Sequence, residues 1–461
     1  MSVLPQSDTD TIAATATAPG RGGIGIIRVS GPAVRAIARR ITRTLPEARH
    51  ASFTRFQGTD ETGNPLVIDE GIALFFPAPN SFTGEDVIEF HAHGGPVILD
   101  LLLREVIAAG ARLARPGEFS ARAYLNGKLD LTQAEAIADL IDSASTQAAR
   151  NALRSLQGQF SARIHAVVEQ LIQLRMFVEA SIDFPEEEVD FLAESSVGEQ
   201  LQALLDDLGR ILDTARQGVL VREGMTLVLA GRPNAGKSSL MNCLAGRDTA
   251  IVTAIPGTTR DILREQIQID GLPLHIVDTA GLRESPDEIE REGIRRAIAE
   301  IRGADRLLLV LDSTQPESVD AVVQAHFAGV LDELPPLVVV MNKCDLSGAR
   351  PGIQRAAERT TVTVSALTGA GIDVLREHLK ECVGYHAVGE GGFSARRRHL
   401  DALERCITAL HYGLQRLRES GAAELLAEDL RSAQQCLGEI TGEFSSDELL
   451  GRIFSSFCIG K

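Results

Sequence analysis

Tryptophan is absent from this chain, tyrosine occurs 3 times, and aromatic residues make up only 4% of it. Its cores must therefore close mainly on aliphatic side chains. Cysteine is sparse as well: the 6 residues stand singly, with no CxxC pair. That spacing argues against a disulfide framework or a zinc site and suits a reducing cytoplasm. No apolar run reaches the roughly 18 residues that read as a membrane-spanning helix. The opening MSVLPQSDTD lacks a basic stretch followed by an apolar one, so no secretory signal is expected. A net charge of −17 argues against a broadly basic nucleic-acid surface and leaves room for a local basic patch.

What remains is an ordinary globular composition, 44% hydrophobic and 24% charged. The length suggests about three domains at roughly 150 residues each. Residues 1–125 mix short apolar runs with glycine and proline punctuation. GIGIIRVSG (23–31), GIALFFPAP (71–79) and DVIEFHAHGG (86–95) read as strands. AVRAIARRI (33–41) and ILDLLLREVIAAG (98–110) read as helices, so this segment is α+β. Residues 126–222 are helical in texture: Ala136, Ile137, Leu140 and Ile141 recur at helix spacing, as do stretches at 146–180 and 196–217. PEEEVD (185–190) between them reads as a solvated loop. Residues 223–388 alternate apolar strands with helices: MTLVLAG, LPLHIVDTAG, DRLLLVLD, PLVVVMNKCD and TVTVSAL. That alternation predicts a parallel sheet covered by helices. GEGGF (389–393) reads as a flexible joint, after which helical texture returns through 389–461. The expected protein is thus multidomain, with an α/β domain inserted into a helical one.

The inserted segment carries the chemistry. Gly231-Arg232-Pro233-Asn234-Ala235-Gly236-Lys237-Ser238, followed by Ser239, fits GxxxxGK[ST] between a strand and a helix. Such a turn presents backbone N–H groups to phosphate oxygens at a helix N-terminus. Lys237 adds positive charge for the β- and γ-phosphates, and the Ser238 hydroxyl suits Mg²⁺. Taken alone, this loop also fits an ATPase. Asp278-Thr279-Ala280-Gly281 follows a strand, where the Asp can hold the Mg²⁺ shell and the Gly can meet the γ-phosphate. Asn342-Lys343-Cys344-Asp345 follows another strand. The Asp345 carboxylate can accept from guanine's N1–H and exocyclic amine, a donor pair that adenine lacks. Ser365-Ala366-Leu367 offers backbone donors to the guanine oxygen, and Thr258-Thr259 sits where a switch threonine would close on Mg²⁺ and γ-phosphate. Five elements in the correct order predict a P-loop, Ras-like GTPase domain that binds and hydrolyses GTP. Leu282 stands where the Ras-like pattern has a water-orienting glutamine, and no dedicated arginine finger is evident. Arg260 fits a finger or a salt link with Asp261. A monovalent cation held by Asn234 is the other way to neutralise the charge.

The combination GRPNAGKSS, GTTRD, DTAGLRE and NKCD resembles the TrmE-type GTPases, the MnmE/TrmE family of tRNA uridine-modification GTPases. The blocks APGRGGIGIIRVSG, SFTGEDVIEFHAHGGP and RPGEFSARAYLNGKLDLTQAEAIADLI extend the resemblance across the chain, as does the terminal FCIGK. It implies an N-terminal folate-binding and dimerisation domain and, with a flavin-dependent MnmG/GidA-type partner, installation of an aminomethyl-type group (carboxymethylaminomethyl) at carbon 5 of the wobble uridine of certain tRNAs. A tetrahydrofolate derivative, in its 5-formyl or methylene form, supplies the one-carbon unit. By motif match it implies folate contacts at Arg28, Glu85, Lys128 and Lys461. It implies potassium ligands at Asn234, Thr253, Ile255 and Thr258, and Mg²⁺ at Ser238 and Thr259. Ala254, Pro256 and Gly257 complete the switch stretch around GTP. Glu290 is implied as the water-activating carboxylate, although Pro286 is an unexpectedly rigid residue in the segment leading to it. A homodimer whose G domains approach one another, in the cytoplasm, completes the implied picture.

Other residues carry two readings. His91 and His93 share a strand face, as a metal pair or, in the favoured reading, as core or turn histidines. Arg35, Arg39, Arg40 and Arg43 lie at near-helical spacing and suit either tRNA phosphates or a solvated face. Arg396-Arg397-Arg398 suits phosphates or the start of the returning helix. Cys243, Cys344, Cys382, Cys406 and Cys436 read as packing thiols. Cys458 by itself reads as part of a frayed end, and the resemblance implies that it points toward the active centre. A ribosome-assembly GTPase without one-carbon chemistry is the alternative function. It predicts a basic RNA-binding appendage, whereas residues 126–222 hold 8 Lys or Arg against 16 Asp or Glu.

Overall fold

The computed structural model describes residues 10–60, 62–183, 197–245, 264–278, 302–315, 318–327, 334–356, 359–386, 391–420, 422–444 and 446–460. The chain forms two compact units, one of Met1–Ala138, Ser155–Asp206 and Ala402–Lys461, the other of Asp139–Arg154 and Asp207–Asp401. Among the described residues no helix is long and apolar enough to cross a membrane.

The first unit is built on a six-stranded sheet of β1 (Thr11–Thr15), β2 (Gly22–Ser30), β3 (Ser52–Thr59), β4 (Pro65–Phe76), β5 (Val87–Gly94) and β6 (Ala111–Leu113), in the order β3-β4-β5-β2-β1-β6. Neighbours run antiparallel except β1 and β6. Helix α1 (Val34–Thr42) buries Val34, Ile37, Ala38 and Ile41 in the same core as Ile27, Phe56, Phe90 and Leu102. Each large aliphatic side chain taken out of water there contributes about 1.5–3 kcal/mol. Leu99, Leu102 and Val106 of α2 (Pro96–Ala108) join them. β1, β3 and β6 were not legible as strands: they are short or carry too many polar residues to show a clear apolar run. Helix α3 (Glu118–Leu125) buries Phe119 with Ile12 and Ala14 of β1. The helical stretch read over 146–180 is two helices, Thr146–Leu156 and Gln159–Asp183, parted at Gly158 with φ +82°.

The second unit holds a seven-stranded sheet: β7 (Met225–Ala230), β8 (Arg264–Ile269), β9 (Leu272–Asp278), β10 (Arg306–Asp312), β11 (Leu337–Asn342), β12 (Gly352–Arg355) and β13 (Thr360–Thr363). Its order is β12-β13-β11-β10-β7-β9-β8. The five inner strands are parallel, as the alternation predicts, and the edges β8 and β12 are antiparallel. Alternate residues serve opposite faces: Leu227 and Leu229 enter one core, Val228 and Ala230 the other. Burial on both faces explains why these strands read as continuous apolar runs.

One expectation is corrected. Gly392 and Phe393 are packed, not a flexible joint: Phe393 is 1% exposed, and Arg154 Nη1 donates to the Gly392 carbonyl at 3.0 Å. Phe393 is apolar enough to bury, and Gly392 beside it is buried as well, while Gly389 and Glu390 lie outside the described residues. PEEEVD lies outside the described residues.

Candidate functional site

Parallel strands align their C-terminal ends, so β7, β9, β10 and β11 deliver Ala230, Asp278, Asp312 and Asn342 to one edge of the sheet. The phosphate loop leaves β7 through Gly231, at φ +142°, where a Cβ would lie 2.3 Å from the Val310 carbonyl oxygen. Asn234 takes the left-handed conformation at φ +65°. The helix Lys237–Ala245 then begins, with Lys237, Ser238 and Ser239 in its first turn, where N–H groups lack intrahelical partners. Lys237 Nζ donates to the carbonyls of Gly231 at 2.8 Å and Arg232 at 3.1 Å.

The Asn342-Lys343-Cys344-Asp345 motif is tied directly to this loop. Asn342, 2% exposed, donates through Nδ2 to the Ala235 carbonyl at 2.9 Å. Its Oδ1 accepts from the Ala366 N–H, also at 2.9 Å. One amide therefore spans phosphate loop, NKCD and SAL. Gly236 is required beneath it: a Cβ there would stand 2.2 Å from Asn342 Nδ2. Lys343 is left-handed at φ +65°, and its ammonium donates to Asp312 Oδ2 at 2.6 Å. That hydrogen bond, aided by Thr314, holds the Asp312 carboxyl down to about 2. Cys344 is buried, burial pushes its thiol pKa up, and Asp345 beside it is exposed and accessible to a base. Of the three SAL N–H groups, Ser365 donates to Ala370 and Ala366 to Asn342, which leaves Leu367 for a guanine oxygen. Thr253, Ala254, Ile255, Pro256, Gly257, Thr258, Thr259, Thr279, Ala280, Gly281 and Glu290 lie outside the described residues.

A second constellation lies in the first unit. Arg28, on β2, donates through Nε to Glu89 at 2.9 Å, with its guanidinium 5.6 Å from the Phe82 ring centroid and 5.8 Å from that of Phe119. Burial works to raise the Glu89 pKa, and the His91 hydrogen bond together with the Arg28 charge outweighs it, for a net lowering. Arg28 Nη1 also reaches the Gly460 carbonyl at 3.4 Å. The C-terminal tail is therefore not frayed. Phe454 and Phe457 are buried with Ala121, Leu131 and Ala134, and the Gly117 N–H donates to the Cys458 carbonyl at 3.3 Å. The Cys458 side chain is exposed, and Lys461 lies outside the described residues. Glu85 accepts from Ser30 Oγ at 2.6 Å and from Arg122 Nη1 at 3.0 and 3.1 Å. Lys128 is exposed, with Nζ 3.0 Å from the Pro79 carbonyl. Ser30, Glu89 and Arg122 were missed in the sequence. An arginine flanked by Ala121 and Ala123 in EFSARAYL was the available signal for the last.

The double-valued residues resolve. His91 pairs with Glu89 at 3.2 Å and His93 with Asp69 at 2.9 Å, so these strand histidines serve carboxylates and are neither core nor turn residues. No metal-ligating cluster occurs among the described residues. Arg35 pairs with Asp86 and Arg40 with Glu105, while Arg43 donates to the uncharged Gln57 amide, so two of the four α1 arginines face carboxylates. Arg396 donates to Asp139 at 2.8 Å, and Arg397 opens the helix Arg397–Ser420.

Comparison with known proteins matches two family models: "GTP-binding protein TrmE N-terminus" over residues 11–128 and "MnmE helical domain" over residues 131–458. The chain is similar to the tRNA modification GTPase MnmE of Ectopseudomonas mendocina, with 60% identity over 98% of this chain and 99% of that one. It is also similar to the MnmE of Chromohalobacter salexigens, 59% identical over 100% of both chains. Among solved structures, the G domain of the T. maritima FeoB iron transporter is 25% identical over 34% of this chain and 98% of its own, with a TM-score of 0.26. The assignment rests on the two models and the full-length relatives: this chain belongs to the MnmE family of tRNA modification GTPases.

Proposed function

We propose that this protein is a GTP-hydrolysing enzyme of tRNA modification that acts at carbon 5 of the wobble uridine. It works with a flavin-dependent MnmG/GidA-type partner and draws its one-carbon unit from a tetrahydrofolate derivative. GTP, Mg²⁺ at Ser238 and Thr259, and K⁺ at Asn234, Thr253, Ile255 and Thr258 serve hydrolysis, with Glu290 orienting the water. Arg28, Glu85, Lys128 and Lys461 hold the folate, and Cys458 supplies a thiol to the one-carbon chemistry. The protein acts as a homodimer in the cytoplasm. Residues 1–125 form the folate domain, 126–222 and 389–461 the helical domain, and 223–388 the G domain.

The observation that supports this reading best is the docked tail. A terminus that merely capped a helix would need no arginine bond from β2 to Gly460. Here it brings Cys458 into the unit that holds Glu85, while NKCD and the phosphate loop belong to the other unit. Hydrolysis and modification should therefore separate in one experiment. GTP turnover in KCl and in NaCl at equal ionic strength, and tRNA modification, are measured for the parent and for Cys458→Ser. The variant should turn over GTP at the parental rate, faster in KCl, and lose modification. Parental modification by Cys458→Ser removes the thiol from the chemistry, and equal rates in the two salts remove the potassium site.

A further inference from the structure

Glu85 sits on the loop joining β4 to β5, and helix α3 grips that loop with two side chains. Asn126, which caps α3, donates through Nδ2 to the Thr83 carbonyl at 2.7 Å. Arg122, four residues earlier and hence on the same helix face, donates through Nη1 to both Glu85 oxygens at 3.0 and 3.1 Å. Ser30 completes the hold: its hydroxyl lies 2.6 Å from Glu85 Oε2 and 2.7 Å from Thr83 Oγ1.

The Arg122 guanidinium is out of water, its side chain only 6% exposed. A buried cation is tolerated when it is paired and hydrogen-bonded. Its Nη2 lies 2.6 Å from Asp10 Oδ1 and 3.7 Å from Glu118 Oε1, while Nη1 also donates to the Asp10 carbonyl at 3.1 Å. Arg112 joins the same group, 2.5 Å from both Asp10 and Glu118. Two arginines thus face three carboxylates, and the group carries one excess negative charge. Glu118 is engaged by Arg112 with two nitrogens. Asp10 is bonded by both arginines, whereas Glu85 is bonded by one arginine, through Nη1 of Arg122, and by the Ser30 hydroxyl at Oε2. Its Oε1 has no other donor among the described residues and retains lone-pair capacity for a ligand N–H.

We infer that Arg122 is the positioning residue of Glu85: it holds that carboxylate in one orientation, ready to accept from the donor edge of a pterin ring. This rests on the reading of Glu85 as a folate contact. Arg122 touches no ligand itself. Its contribution is preorganisation, so that Glu85 need not be ordered when the folate arrives. The planar fork matters, because separate nitrogens serve the Glu85 and Asp10 carboxylates, which a lysine ammonium at one point cannot do.

The test is a double-mutant cycle on the full chain, with 5-formyl-tetrahydrofolate as the probe in titration calorimetry. Arg122→Lys should weaken binding about tenfold or more, the range for a charge-assisted hydrogen bond. Added to Glu85→Gln, the same change should alter affinity less than about twofold, because its effect passes through Glu85. GTP turnover and the melting profile report whether the fold is kept. An equal loss in both backgrounds makes Arg122 a structural residue only and overturns the inference. Should Arg122→Lys fail to fold, Asp10→Asn releases Arg122 at its half-exposed anchor and carries the same two outcomes. If Glu85→Gln alone leaves folate affinity unchanged, the folate reading falls first and the inference with it. A loss with Glu85→Gln but none with Arg122→Lys sinks the inference alone.

Discussion

On the proposed reading, guanine selectivity rests on a single carboxylate, Asp345, whose neighbours do the holding. Asp345 follows Cys344, which is buried, and Lys343, which is pinned to Asp312. Asp345 is exposed and therefore free to meet the N1–H and amine of a base. Asp345→Asn swaps one acceptor for a donor facing N1–H, and an unmatched hydrogen-bonding group of this kind against a bound base costs about 1–3 kcal/mol. Affinity for GDP should fall about tenfold or more, and that for XDP, which lacks the amine, should rise. Competition binding with the two nucleotides checks it. A variant that keeps parental GDP affinity shows that the base is read elsewhere.

At the scale of elements, glycines in left-handed conformation decide how segments dock. The tail after the helix Asp447–Ser455 turns at Gly460, φ +96°, where a Cβ would stand 2.4 Å from the Thr15 carbonyl oxygen on β1. At Gly117, φ +65°, a Cβ would stand 2.4 Å from the Phe454 carbonyl oxygen. Neither contact can yield, because both obstacles are backbone. Gly460→Ala adds a left-handed penalty of roughly 1–2 kcal/mol to that clash. The tail should then undock from Arg28, and trypsin should cut at Arg452 several-fold faster than in the parent. GTP turnover, which belongs to the other unit, should stay near the parental rate. Unchanged proteolysis means that the tail is held by Phe454 and Phe457 alone.

At the scale of the molecule, the α/β unit extends beyond its motifs. The core under β7 and β9 takes in Ala148 and Val221, and Ser145 Oγ donates to the Gly271 carbonyl at 3.1 Å. Val221, 3% exposed, precedes the first strand of the sheet. A fragment of residues 223–388 leaves this valine out, whereas one of residues 207–401 keeps it. Burial of one valine contributes about 1.5–3 kcal/mol, and each kcal/mol moves a domain of this size by about 2–4 °C. The longer fragment should therefore melt roughly 3–12 °C higher, with both fragments still binding GDP. Equal melting temperatures make the helix end at Val221 dispensable to the sheet.

Much of this protein was already determined by local chemistry written in the chain. The phosphate loop, NKCD and the inner parallel strands were legible because each depends on near neighbours: glycines at a turn, an apolar run between polar loops, a carboxylate just beyond a strand. The edge strands β8 and β12 were not, because an antiparallel edge needs only half a buried face and leaves no continuous apolar run. Asn342 as the tie between loop and base motif was decided by the sheet, which brings residues 235, 342 and 366 together from three segments. The same holds for the Arg122–Glu85–Asp10 group and for Arg28 with Gly460, 432 residues apart. Hydrogen bonds between groups so distant in sequence have no period or spacing to betray them. They exist only once hydrophobic burial has set the strands and helices that carry them.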